Sequence, residues 1–134
     1  DCVLCGLCTR ACDRMGISAI ASVSRGIGRT VAPPFDQPPP DCIGCLACAE
    51  VCPTGHIAWE EAGGRRTIWN RVFEMQRCGG CGRPHVTAEQ AAWARKRGAA
   101  DQDLRLCDAC KREQLARTLG ALSRGERVAA DAAV

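Results

Sequence analysis

The chain has 134 residues, with 18 Lys or Arg against 15 Asp or Glu, two His and twelve Cys. Aromatic residues make up only 4% and there is no Tyr, so a conventional apolar core is thin and metals or cross-links must help hold the fold. No run of 18 apolar residues and no signal-like segment occurs, which argues against bilayer insertion and predicts a reducing, cytoplasmic setting for the thiols.

The first predicted element is a tight loop entering a helical turn, Cys2-Val-Leu-Cys5-Gly-Leu-Cys8-Thr-Arg-Ala-Cys12. Residues 17–23 then read as a strand, which turns through Arg25-Gly26-Ile27-Gly28 and returns through Arg29-Thr30-Val31. The segment Pro33-Pro-Phe-Asp-Gln-Pro-Pro-Pro40 is a stiff extended strap, because proline fixes φ and removes donors. It carries the chain to a second cysteine run, Cys42-Ile-Gly-Cys45-Leu-Ala-Cys48-Ala-Glu-Val-Cys52-Pro53. A second hairpin follows, Ile57-Ala-Trp59-Glu60 turning at Gly63-Gly64 and returning through Thr67-Ile68-Trp69.

Both runs are C-x2-C-x2-C-x3-C, the spacing that wraps a [4Fe-4S] cube in two-cluster ferredoxins. Three thiolates of a run reach one cube, and the fourth, at the start of a helical turn, points to the other. Cys2, Cys5 and Cys8 are therefore expected to bind cluster I, completed by Cys52. Cys42, Cys45 and Cys48 are expected to bind cluster II, completed by Cys12. Neither half finishes its own cluster, so the runs must pack face to face. The repeat continues past the ligands, with Gly16-Ile17 answering Gly55-His-Ile57. Two zinc knuckles have no use for the x2-x2-x3 rhythm, and disulfides fit a reducing setting poorly. Gly6, Gly44 and Ala47 are expected to leave backbone N–H groups open to sulfur, and the apolar neighbours Val3, Leu4, Leu7, Ile43 and Leu46 to keep potentials low.

Beyond Trp69 the character changes. Thr87-Ala-Glu-Gln90 reads as a capping box opening a short helix that Gly98 closes. A further helix is predicted after Cys110, with Leu115, Leu119 and Leu122 on one stripe that packs on the body or on a neighbouring subunit. Residues 128–134 are small and expected to fray. Cys78-Gly-Gly-Cys81-Gly82 and Cys107-Asp-Ala-Cys110 are two C-x2-C pairs able to place four thiolates around one centre. On spacing, zinc is favoured, and a third [4Fe-4S] cube competes. Gly82 is expected to free backbone amides for the sulfurs. His56 and His85 are expected at the surface rather than as ligands.

Charge divides unevenly, four Arg against five acids in residues 1–57 and fourteen Arg or Lys against ten acids in residues 58–134. The basic half is interleaved with acids, which predicts a solvated or subunit-facing surface and no nucleic acid. Two oxidised cubes and a zinc, each net −2 with its four thiolates, would turn the formal +3 into about −3.

The two runs, joined through Arg25-Gly26-Ile27-Gly28, Val31 and Pro34-Phe35, resemble the iron–sulfur subunits of multi-subunit oxidoreductases. These are hydrogenase, formate dehydrogenase, complex I-like and tungsten aldehyde oxidoreductase types. The likeness covers residues 1–58, and the later cysteines look like an extension that some such subunits carry. A tungsten-type likeness would favour a cube at the third site. Asp13 departs from the family, where Pro commonly follows the fourth cysteine. The resemblance implies an α+β fold: a bacterial dicluster ferredoxin-like domain over residues 1–69, and a small helical extension over 70–134 holding the four-cysteine site. It implies a non-catalytic relay in a hetero-oligomer, between a catalytic oxidoreductase subunit and a flavin- or NAD-linked or other electron acceptor or carrier. No G-x-G-x-x-G opens a helix, so no nicotinamide or flavin site is expected on this chain. A free soluble ferredoxin is the alternative, and a structural iron–sulfur or zinc nucleic-acid protein a more distant one. The chain starts at Asp1, directly on its first ligand, so preceding residues are expected, with room for further ligands.

Overall fold

A computed structural model describes residues 1–125 as a mixed α/β protein. The tail at residues 128–134 lies outside the described residues. The order is α1 (Leu7–Arg14), β1 (Ala21–Val23), β2 (Thr30–Ala32), α2 (Ala47–Glu50), β3 (Trp59–Ala62), β4 (Arg65–Ile68), β5 (Arg71–Arg77), β6 (Pro84–Thr87), α3 (Ala88–Lys96), α4 (Asp101–Arg105) and α5 (Asp108–Ser123). Among the described residues no helix is long and apolar enough to cross a membrane.

The two cysteine runs adopt the same backbone. In the first, Leu4 and Gly6 on either side of Cys5 are left-handed, with φ of 54° and 70°. In the second, Gly44 and Leu46 on either side of Cys45 match them, with φ of 66° and 63°. Each run thus coils tightly around its second cysteine and then enters a short helix, and α1 packs against α2. The fourth cysteine differs from expectation. Cys12 sits in the last turn of α1, and Cys52 just past the end of α2, because the helices begin earlier, at the residue before each third cysteine.

The first hairpin forms as β1 and β2, paired Ala21 to Ala32 and Val23 to Thr30, but its first strand is shorter than the apolar stretch suggested. The strap is not straight: Pro34–Asp36 makes a single tight turn in which Phe35 and Asp36 are left-handed. The second hairpin forms as read, with Gly63 and Gly64 both at positive φ. It then continues beyond the sequence reading. Trp69 and Asn70, at φ of 53° and 58°, make a two-residue turn into β5, and β6 completes a four-stranded antiparallel sheet. Positive φ at both central residues gives the twist such hairpins need.

This sheet buttresses the second cysteine run. Phe73 and Ile68 are fully buried beneath it. Arg66, itself buried, donates to Gly44 O at 2.5 Å and pairs with Glu61 at 2.6 Å. Thr87 Oγ1 donates to Ile43 O at 2.5 Å and accepts from Gln90 N, so the predicted cap of α3 also pins the cysteine loop. Arg71 donates to the carbonyls of Pro39, Pro40 and Cys42 and lies over the Phe73 ring, tying strap, loop and sheet together.

A Cβ at Gly44 would meet Phe73 Cδ2 at 2.8 Å and Thr87 Cγ2 at 3.1 Å. Gly44→Ala should therefore cost about 2–4 kcal/mol from overpacking plus left-handed strain. Gly55→Ala, with open space around it, should lose only about 1 kcal/mol. Denaturant unfolding of the two metal-loaded variants checks this, and equal losses would refute the buttress.

Candidate metal centres

Two enclosed cavities sit between the cysteine runs, and each takes its walls from both. One is lined by Cys2, Cys5 and Cys8 with Cys52, together with Val31, His56, Ile57 and Trp69. The other is lined by Cys42, Cys45 and Cys48 with Cys12, together with Ile20, Leu46, Ile68 and Trp69. The two are alike in size, each about 20 Å³ and partly open to solvent. The crossing thus places each fourth cysteine on the wall of the opposite run's cavity.

Backbone N–H groups reach the first sulfur of each run at matching positions. Leu4 N donates to Cys2 Sγ at 3.4 Å and Gly44 N to Cys42 Sγ at 3.5 Å. Ala19 N donates to Cys12 Sγ at 3.3 Å. Of the three residues expected to offer such amides, Gly44 does so; Leu4 and Ala19 were missed because a left-handed Leu carries no signature. Burial pushes the Cys8 and Cys42 thiols up, and Cys48 to about 11. Cys52 runs the other way, drawn down to about 7 by the Thr54 hydroxyl and backbone N–H groups. In Cys8, repulsion from Cys52 and Cys2 adds to the rise, and in Cys48 repulsion from Cys45, Cys42 and Cys12. Crowded thiolates of this kind call for cationic charge between them.

The third constellation is tighter. Cys78 ends β5, and a Gly79-Gly80 turn brings Cys81 back, closed by Cys78 N to Arg83 O at 2.8 Å and Gly82 N to Cys78 O at 2.9 Å. Gly82 thus helps to close the turn, and Gly80 N donates to Cys78 Sγ at 3.4 Å. Cys107 caps α5 and Cys110 lies in its first turn. The four sulfurs lie within 4.8 Å of one another, and Cys81 to Cys107 is 3.7 Å. Among the described residues no other set of ligands converges so closely. The site can hold a metal.

Its electrostatics say the same. The Cys107 N–H, at 3.2 Å, and further backbone amides hold Cys78 down to about 5. Arg83 at 3.4 Å lowers Cys81. Cys110 is pushed up to about 12, first by the Cys107 sulfur and then by Cys78 and Cys81. Two sulfurs, Cys78 and Cys81, are thus favoured as anions, and Cys110 is left for a cation to deprotonate.

His56 is exposed, as expected. His85 is not a surface residue: it is half-buried, with Nδ1 3.2 Å from Gln76 O and Nε2 3.0 Å from Leu104 O, so it ties the sheet to α4 and is no ligand. No protein-family model matches this sequence, and no curated protein matches it.

The helix α5 buries none of its residues, and Leu115, Leu119 and Leu122 are more than half exposed. The stripe does not pack on the body, so the thiols at the N-terminus of α5 are its principal anchor. A lone 16-residue helix is marginal in water. Chelator treatment or Cys107→Ser should therefore raise hydrogen exchange of α5 amides at least about tenfold while β4 and β5 stay protected. Unchanged exchange in α5 would show that the centre does not organise it.

Proposed function

We propose that this chain is an electron relay: a two-cluster [4Fe-4S] protein of the dicluster ferredoxin type, with a zinc-bound extension, working as a subunit of a larger oxidoreductase. The observation that carries the reading is the crossed lining of the two cavities, because only a two-cluster arrangement gives each run a reason to surrender its fourth cysteine.

Sulfur spacing supports the division of metals. A zinc ion with Zn–S bonds of about 2.3 Å needs sulfurs about 3.8 Å apart, as at Cys81 and Cys107. Thiolates that bind four different irons must stand wider, and the eight remaining cysteines do surround their cavities without converging to that range. Bound clusters would supply reversible one-electron transfer. The chain's own residues set its terms: Leu4 and Gly44 amides hold the first sulfurs, and Val31, Ile57 and Ile68 keep water from the cavities.

A docked subunit is favoured over a free ferredoxin by apolar surface in two places. Val3, Leu4 and Leu7 are exposed around the exposed Cys5, and the leucine stripe of α5 is uncovered. A nucleic-acid role finds less support, since Arg65, Arg66, Arg95, Lys111 and Arg117 each face an acid. The catalytic partner would act on substrate, and this chain would carry its electrons to a flavin- or NAD-linked or other acceptor.

Anaerobically prepared protein should contain about eight iron and one zinc per chain. Cys52→Ser should disturb the cluster on Cys2, Cys5 and Cys8 while the one on Cys42, Cys45 and Cys48 persists, read by iron content and EPR. Loss confined to the second cluster would reverse the crossing. About twelve iron and no zinc would reassign the third site to a cube.

A further inference from the structure

A groove of about 510 Å³ opens between the strap, the loop after α2 and the edge of the four-stranded sheet. That volume lies within the range of small-molecule sites, about 300–1,000 Å³. Its floor is apolar and buried: Val31 from β2, Ile57 from the loop and Ile68 from β4. Trp59 stands on the edge strand β3, paired opposite Ile68, and remains 45% exposed. Asp36, His56, Glu60 and Asn70 supply polar lining. A buried apolar floor, an aromatic wall and a few polar groups make up the anatomy of a ligand site.

The lining also selects by charge. The chain carries 18 Lys or Arg, yet none of them lines this groove. Among the described residues neither Asp36 nor Glu60 has an ion-pair partner. Two carboxylates without counterions beside an apolar floor favour a cation and repel phosphates and carboxylates. An accessible indole attracts a cation through its ring face and a flat molecule through stacking. Asp36 reaches the groove from an unusual turn, in which Phe35 and Asp36 are both left-handed, at φ of 56° and 55°. Phe35 is 92% exposed, so burial of its own ring does not repay that strain.

We propose that this groove binds a small, flat organic cation, its aromatic body against Trp59 over the apolar floor and its charge toward Asp36 and Glu60. A neutral aromatic would forgo the carboxylates, and a compact ammonium would forgo the floor. The assignment stands apart from the relay reading, since no cysteine lines the groove. The groove does share Val31, His56, Ile57 and Trp69 with the cavity of Cys2, Cys5, Cys8 and Cys52, so its occupant lies behind one wall of that cavity.

The test is calorimetric titration of the anaerobically purified, metal-loaded chain with N-methylquinolinium. Naphthalene-2-sulfonate serves as a flat anion for comparison, and tetramethylammonium as a cation without a flat body. N-methylquinolinium should bind with a Kd below about 1 mM, at least about tenfold more tightly than either. Asp36→Asn combined with Glu60→Gln should weaken it at least about fivefold, and Trp59→Leu at least about threefold. These three side chains are exposed, so their replacement spares the core. Asp103→Asn, on α4 and away from the groove, should leave the affinity within about twofold. Should Trp59→Leu fail to fold, the carboxylate pair decides alone. Equal binding of the flat anion, an affinity that the groove variants do not move, an equal loss with Asp103→Asn, or no binding at about 1 mM overturns the proposal.

Discussion

Cys12 and Cys52 each leave the run that carries them and stand on the wall of the opposite cavity, and most of residues 1–69 follows from that exchange. The aromatic content is too low for a core built on side-chain mass alone, and the buried cluster is indeed threaded with sulfur: Cys8 and Cys48 are buried within it, and Cys2, Cys12, Cys42 and Cys52 pack against it. Each cavity therefore takes its walls from both halves.

The two halves are alike in backbone but not in support. The four-stranded sheet lies against the second run only, where Arg66, Arg71 and Thr87 seize the carbonyls of Gly44, Cys42 and Ile43. The first run has no such buttress, and its Cys5 is exposed where the equivalent Cys45 is half-buried. The repeat therefore places two similar cysteine-lined cavities in two different dielectric settings. Burial alone would make the inner one resist added negative charge.

The cysteine rhythm made legible which cysteines share a cavity, because repeated spacing gives the two runs matching backbones. The Gly63-Gly64 turn and the Thr87 cap were legible for similar reasons: each rests on a residue with one dominant local use. The turn at Trp69-Asn70 was not, since nothing in the chemistry of Trp announces left-handed backbone, and with that turn hidden β5 and β6 could not be placed on the sheet. The β6 strand also begins at Pro84, a residue that argues against strands except at a first position or an edge, and both exceptions hold here. For α5, the leucine spacing located a helix correctly but not its neighbour, because periodicity reports which face is apolar and not whether anything covers it.

The spacing of sulfur differs between the third site and the paired cavities. At the third site, the Gly79-Gly80 turn and the first turn of α5 bring four sulfurs to near the edge length of a single tetrahedral ion, and a Cβ at Gly80 would already stand 3.1 Å from Cys110 Sγ. In the paired cavities left-handed residues flank Cys5 and Cys45, one amide of each run reaches its first sulfur, and the fourth sulfur arrives from another part of the chain. The three sites thus differ in geometry rather than in donor type, which is the same thiolate at all three.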